Sequence, residues 1–134
     1  MDDLLKILKA LAEPSRLRLL ALCMHGEFTV TELVHILGQS QPRVSRHLKL
    51  LCDAGLLQKI REGSWMLYRF APDDEVASTV EHLLTLVPAD DSTFVSDQKR
   101  LGEVKAERSK SATDYFRFSA EQWDKIRGLH VDEA

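Results

Sequence analysis

The stretch SQPRVSRHLKLLCDAGLLQKIREGSWMLYRF, Ser40 to Phe70, decides the fold. Its first half places Val44, Leu48 and Leu51 on one side of a helix. Gln41, Arg43, Ser45, Arg46, His47 and Lys49 fall on the other side. Ser40 is a good N-cap, and Pro42 lies in the first turn, where a missing N–H costs nothing. Gly55 can take the positive φ that ends a helix. Leu56–Arg61 and Trp65–Phe70 then read as two strands rich in bulky residues, joined at Glu62-Gly63-Ser64.

Charge sharpens this reading. Over residues 40–70, six basic side chains (Arg43, Arg46, Lys49, Lys59, Arg61, Arg69) face two acidic ones (Asp53, Glu62). The whole chain of 134 residues carries −3, so the remainder is acidic. Positive charge gathered on one helix and one hairpin is the footprint a DNA phosphate backbone selects.

Working outward, residues 3–12 form a first helix with a broad apolar face of Leu4, Leu5, Ile7, Leu8 and Leu11, suited to burial against another subunit. Glu13-Pro14 breaks it, and Pro14 opens a second helix running to about His25. That helix should bury Leu17, Leu19 or Leu20, and Leu22, and turn Arg16 and Arg18 outward. Thr29-Val30-Thr31-Glu32 has the form of a capping box, and the helix it opens points Leu33, Ile36 and Leu37 inward. Gly38-Gln39 is a tight turn before Ser40. Two short helices, a turn with Gly and a polar-faced second helix make a helix-turn-helix, and the hairpin supplies a wing.

On the C-terminal side, Asp73–Val87 reads as a fifth helix, apolar at Val76, Val80, Leu83, Leu84 and Val87. Between Ala71 and Asp97 there are seven acidic residues and no Lys or Arg, so this segment should pack beside helix one and form a dimer seam rather than touch DNA. Pro88-Ala89-Asp90-Asp91 is the expected boundary between a domain of residues 1–87 and a charged helical extension of residues 88–134. The extension should be helical over 92 to about 117. A second capping box at Ser119-Ala120-Glu121-Gln122 would open a last helix with Trp123, Ile126 and Leu129.

The fold class is therefore mainly α with a small β-hairpin, in the order α1-α2-α3-α4-β1-β2-α5 plus the extension. No apolar run approaches the roughly 20 residues that span a bilayer. Acidic residues stand where a signal peptide needs basic ones, which favours the cytoplasm. Two cysteines make no disulfide framework.

The runs ALAEPSRLRLL, SQPRVSRHLKLLCDAGLL and REGSWMLYRF, in that order, resemble the ArsR/SmtB family of bacterial winged-helix regulators. The resemblance covers residues 5–87. It implies a homodimer through helices one and five that represses transcription at an imperfect inverted-repeat DNA operator, and that releases it when a small effector binds. It puts helix four in the major groove, with Gln41, Arg43, Ser45, Arg46 and His47 toward base edges and phosphates and with Lys49 beside them. Ser40 would hold a phosphate at the helix N-terminus, and Arg61, Ser64 and Arg69 of the wing would reach the adjacent backbone.

The departures from the family matter as much. Metal-sensing relatives begin helix three with a C-V-C thiolate pair, where this chain has Thr29-Val30-Thr31. Hydroxyls are poor ligands for such metals. Helix five offers Asp73, Asp74, Glu75, Glu81 and His82 but not the paired histidines of the second family site. No metal and no cofactor is expected. Cys23 and Cys52 are the only candidates for a thiol switch, and their places beside leucines favour plain burial.

The tail RLGEVKAERSKSATDYFRFSAEQWDKIRGLHVDEA resembles the segment that leads into an S-adenosylmethionine-dependent methyltransferase domain in one subgroup. The alternative function is therefore the regulatory part of such a fusion, with catalysis elsewhere. These residues contain no Gly-rich cofactor motif and no catalytic constellation, so the chain itself should not be an enzyme.

Overall fold

The computed structural model describes residues 1–126, with side chains described to residue 110. The chain forms α1 (Asp2–Leu11), α2 (Pro14–Cys23), α3 (Val30–Leu37), α4 (Gln41–Asp53), β1 (Leu57–Glu62), β2 (Trp65–Phe70), α5 (Asp74–Leu84) and α6 (Ser92–Ile126). Residues Met1–Leu101 make one compact unit.

Local chemistry sets the helix ends. At α2, Pro14 occupies the first turn while the Glu13 carboxylate accepts the Arg16 amide at 2.9 Å. At α3 the capping box is complete: Thr29 Oγ1 accepts the Glu32 amide at 3.2 Å, and Glu32 Oε1 accepts the Thr29 amide at 2.9 Å. Such a cap contributes about 1 kcal/mol. Gly38 closes α3 at φ +70°. At the end of α4 the Gly55 amide reaches Cys52 O and the Leu56 amide reaches Leu51 O, both at 3.0 Å, with Gly55 at φ +78°. This is the paired carbonyl capping that a glycine in the left-handed region allows.

The core lies where α2, α3 and α4 cross. Leu19, Leu20, Leu22, Leu33, Ile36, Val44, Leu48 and Leu51 are fully buried there. Both Leu19 and Leu20 are inside, whereas Leu17 is only half-buried. The hairpin pairs antiparallel in the register Leu57↔Phe70 to Glu62↔Trp65, turning through Gly63 (φ +63°) and Ser64. Phe28 joins it to the helices. Its amide and carbonyl pair with those of Tyr68 at 3.2 and 2.9 Å, and its ring is fully buried.

Three expectations are corrected. Arg16 and Arg18 do not face solvent, because each finds carbonyl or carboxylate partners within the protein. Arg18 Nε and Nη2 donate to the two Asp97 oxygens, each at 2.8 Å, and Nη2 also reaches Leu37 O at 3.1 Å. With Arg100 donating to Ile36 O at 3.1 Å, residues past Pro88 supply two partners to the α2–α3 region. The fifth helix is shorter than its apolar pattern, ending at Leu84 in successive tight turns through Val87. The backbone of α6 runs unbroken through Ser119–Gln122, so the second capping box opens no new helix. Leu129 lies outside the described residues.

Candidate nucleic-acid interface

On α4 the expected division holds except at one residue. Val44, Leu48 and Leu51 are buried, and Gln41, Arg43, Arg46 and Lys49 are exposed, with Ser45 half-buried. Ser40 Oγ accepts the Arg43 amide at 3.4 Å, as an N-cap should. The Arg43 and Arg46 guanidinium groups make no hydrogen bond or ion pair within the described residues, whereas Lys49 is drawn to Asp53 at 3.3 Å one turn on. His47 is the correction. It is 9% exposed and faces α2, with Nδ1 3.1 Å from Arg16 Nη1 and Nε2 3.9 Å from Glu13 Oε2. Spacing carried the signal for this, since 44, 47, 48 and 51 form one helical stripe.

The wing divides its cations between two faces. Residues directly opposite in the register share a face, so Lys59 and Arg61 lie with Met66 and Tyr68, and Lys59 sits 6.0 Å over the Tyr68 ring. Arg69 lies on the other face, where Nε and Nη2 donate to Gln58 Oε1 at 3.0 and 2.8 Å and Glu27 is 3.9 Å away. Arg61, Ser64 and the 64%-exposed Trp65 surround the tip. Arg61 thus reaches outward without a partner among the described residues, while Arg69 is tethered.

Two further residues, which local sequence pattern does not single out, fix α4 in place. Arg16 holds His47, and Gln39 Nε2 donates to the buried Ser15 hydroxyl at 2.7 Å just ahead of α4. Both contacts join positions far apart in the chain.

The alternative chemistries find little support in the geometry. Thr29 Oγ1 is committed to the α3 cap, and thiolates are absent from that position, so the residues present do not suit a metal of the family type. Among the described residues, no three His, Cys, Asp or Glu side chains gather to hold a metal ion. Burial pushes the Cys23 thiol up to about 12, with nearby Cys52 adding to it. Burial, then Asp53, raises Cys52 as well. Both are held as thiols, the unreactive form. Among the described residues, no helix is long and apolar enough to cross a membrane.

A helix-turn-helix with an adjoining wing, whose second helix projects its arginines into solvent, defines a winged helix-turn-helix DNA-binding regulator of transcription. The arsR family of bacterial regulatory proteins matches residues 13–59. An arsenic resistance transcriptional regulator of Pseudomonas putida is 40% identical over 100 residues, which span 73% of this chain and 77% of that protein. The chain belongs to the ArsR family. Among solved structures, HlyU of Vibrio cholerae matches with a TM-score of 0.58 at 31% identity, over 64% of this chain and 92% of that one. The homodimeric winged helix-turn-helix DNA-binding domain of a Mycobacterium bovis protein matches at 0.54 and 32%, over 64% and 75%. The Pseudomonas putida protein is a transcriptional regulator by name and the Mycobacterium bovis one a possible regulator of this family, and neither lends support to a joined methyltransferase.

Proposed function

We propose that this protein is a repressor that binds an inverted-repeat operator as a homodimer and lets go when a small effector binds. Helix α4 enters the major groove, with Gln41, Arg43, Ser45 and Arg46 toward base edges and phosphates. Ser40 and Lys49 contact the flanking backbone. Arg61 and Ser64 of the wing take the adjacent strand, and Arg69 joins them on exchanging Gln58 for a phosphate. The observation that carries this reading is the pair Arg43 and Arg46. They are exposed and unpartnered among the described residues, whereas Arg16, Arg18, Arg69 and Arg100 are all engaged.

Pairing through α1 and α5 is supported by the leucines they leave exposed: Leu4, Leu5 and Leu8 on the first and Leu83 on the second. Such surface on a small soluble chain calls for a partner. Recognition helices about 34 Å apart in the dimer meet successive major grooves, so an effector that shifts the seam changes DNA affinity. The effector acts without thiolate metal ligands, since Thr29 and Thr31 occupy their places.

The test is Arg43→Ala combined with Arg46→Ala. Two lost base or phosphate contacts weaken operator binding by about a hundredfold or more, while the dimer persists in sedimentation. Gel shifts unchanged from wild type would rule out α4 as the reader.

A further inference from the structure

We propose that Arg16 and His47 are a positioning pair that sets the reading helix α4 against the end of α1, carrying movement at α1 to the DNA-reading face. The proposal rests on α4 being the reader.

The pair is built around one rigid group. Arg16 sits in the first turn of α2, and its guanidinium reaches two other helices at once. Nε donates to Ala10 O at 2.8 Å and Nη2 to Lys9 O at 3.2 Å, both carbonyls at the C-terminal end of α1. Nη1 lies 3.1 Å from His47 Nδ1, in the middle of α4. The guanidinium is a planar fork with fixed donor directions, so the carbonyls of α1 and the imidazole of α4 are measured from the same plate. It has no acceptor, so Nδ1 must be the acceptor and must carry no proton. Only neutral His47 can hold it.

Glu13 closes the arrangement. One carboxylate oxygen caps α2 at the Arg16 amide, and the other stands 3.9 Å from His47 Nε2. That nitrogen is buried and has no hydrogen-bond partner among the described residues. A leucine would fill this place in the 44–47–48–51 stripe without desolvating any polar group. The buried polar pair is costly, and the gain open to it is a defined setting of one helix against another. That setting matters here because Arg46 adjoins His47 and Arg43 lies one turn before it, so α4 cannot shift at His47 without moving both. At the other end, α1 exposes Leu4, Leu5 and Leu8, the surface through which a second subunit or an effector would push.

Three variants test this on a duplex selected from a randomised pool with the wild-type protein, read by fluorescence anisotropy. His47→Asn keeps an oxygen acceptor near the δ position, and its affinity should stay within about twofold of wild type. His47→Leu keeps the volume and removes the acceptor, and should weaken binding about tenfold. Arg16→Lys keeps the charge but cannot span both helices, and should weaken binding to the same extent. The double variant Arg16→Lys/His47→Leu should be no worse than either single one, as for two ends of one contact. The salt slope should not change in His47→Leu, because no phosphate contact is lost.

Wild-type affinity in His47→Leu, equal damage in His47→Asn and His47→Leu, or additive effects in the double variant would each overturn the proposal. Should His47→Leu not fold, Arg16→Lys and His47→Asn decide the matter by the same criteria. The Arg43→Ala/Arg46→Ala variant separates the two levels. If it still binds the duplex, α4 is not the reader. If it does not bind while His47→Leu binds like wild type, only the positioning pair fails.

Discussion

Helices α2 and α4 each carry two arginines within a turn of one another, and the protein treats them oppositely. Arg16 and Arg18 on α2 spend their donors on carbonyls, a carboxylate and an imidazole of neighbouring elements. Arg43 and Arg46 on α4 spend none among the described residues. The residue type is the same and the helical setting similar, so neither decides the role. What differs is whether acceptors lie within reach. Helix α2 runs through the middle of the unit, where α1, α3 and the start of α6 offer oxygen atoms. The outer side of α4, with Gln41, Arg43, Arg46 and Lys49, is exposed among the described residues. A guanidinium without internal acceptors keeps its full fork for a ligand, and phosphate and guanine edges are the ligands whose geometry matches that fork.

This contrast can be broken at its strongest point first. Arg18→Ala leaves the Asp97 carboxylate buried without its cation; the carboxylate side chain is only 4% exposed. The expected loss is about 3 kcal/mol of stability, read as a lower denaturant midpoint. Undiminished stability would mean that α2 does not use its arginines structurally.

Arg43→Ala should do the reverse. Thermal stability stays within about 0.5 kcal/mol of wild type, while DNA affinity drops roughly tenfold. If Arg43 meets a phosphate, the salt slope also shrinks by about one, which a salt titration measures directly.

His47 tests the boundary between the two helices. Burial holds its pKa below the ordinary imidazole value; Glu13 pulls it back up, and Arg16, Arg43 and Arg46 push it further down. The unfolded chain takes up this proton at about pH 6.5, and the folded protein resists it until lower pH. The contribution of neutral His47 to stability is therefore complete above about pH 6.5 and is lost as pH falls through the folded value. Melting wild type and His47→Asn in parallel between about pH 7.5 and 5 should show the gap closing in acid. A constant gap would detach His47 from the titration.

The smallest effect belongs to Lys49 and Asp53, an exposed pair one turn apart on α4. Asp53→Ala should change stability by less than about 0.5 kcal/mol, and it should free Lys49 for a slightly tighter grip on DNA. A large loss in either would show that α4 depends on internal pairing after all.

Short-range chemistry made most of the fold legible. The Thr29–Glu32 capping box, Gly38, Ser40 with Pro42, Gly55 and the Gly63-Ser64 turn each act within a few residues, so their signals sit side by side in the chain. The apolar stripe at 44, 48 and 51 worked for the same reason. The exposed face of α4 was legible by subtraction from that stripe. His47 was misjudged because a polar residue on the stripe looks as though it belongs to the opposite face, and only its partners on α2 explain its burial. Arg18 and Asp97 are 79 positions apart, and nothing local marks either one as half of a pair. Pattern reading finds which groups a helix hides, but not which distant group answers them.

The last carbonyls of α3 set a limit on how far this protein can be trimmed. Leu37 O is answered by a guanidinium from α2 that Asp97 holds steady, and Ile36 O by one from Arg100. Cutting the chain after α5 would take away Arg100 from Ile36 O and leave Arg18 on Leu37 O without the carboxylate that holds it, just before the turn into α4. A piece that keeps both carbonyls answered as they are here has to run past Arg100.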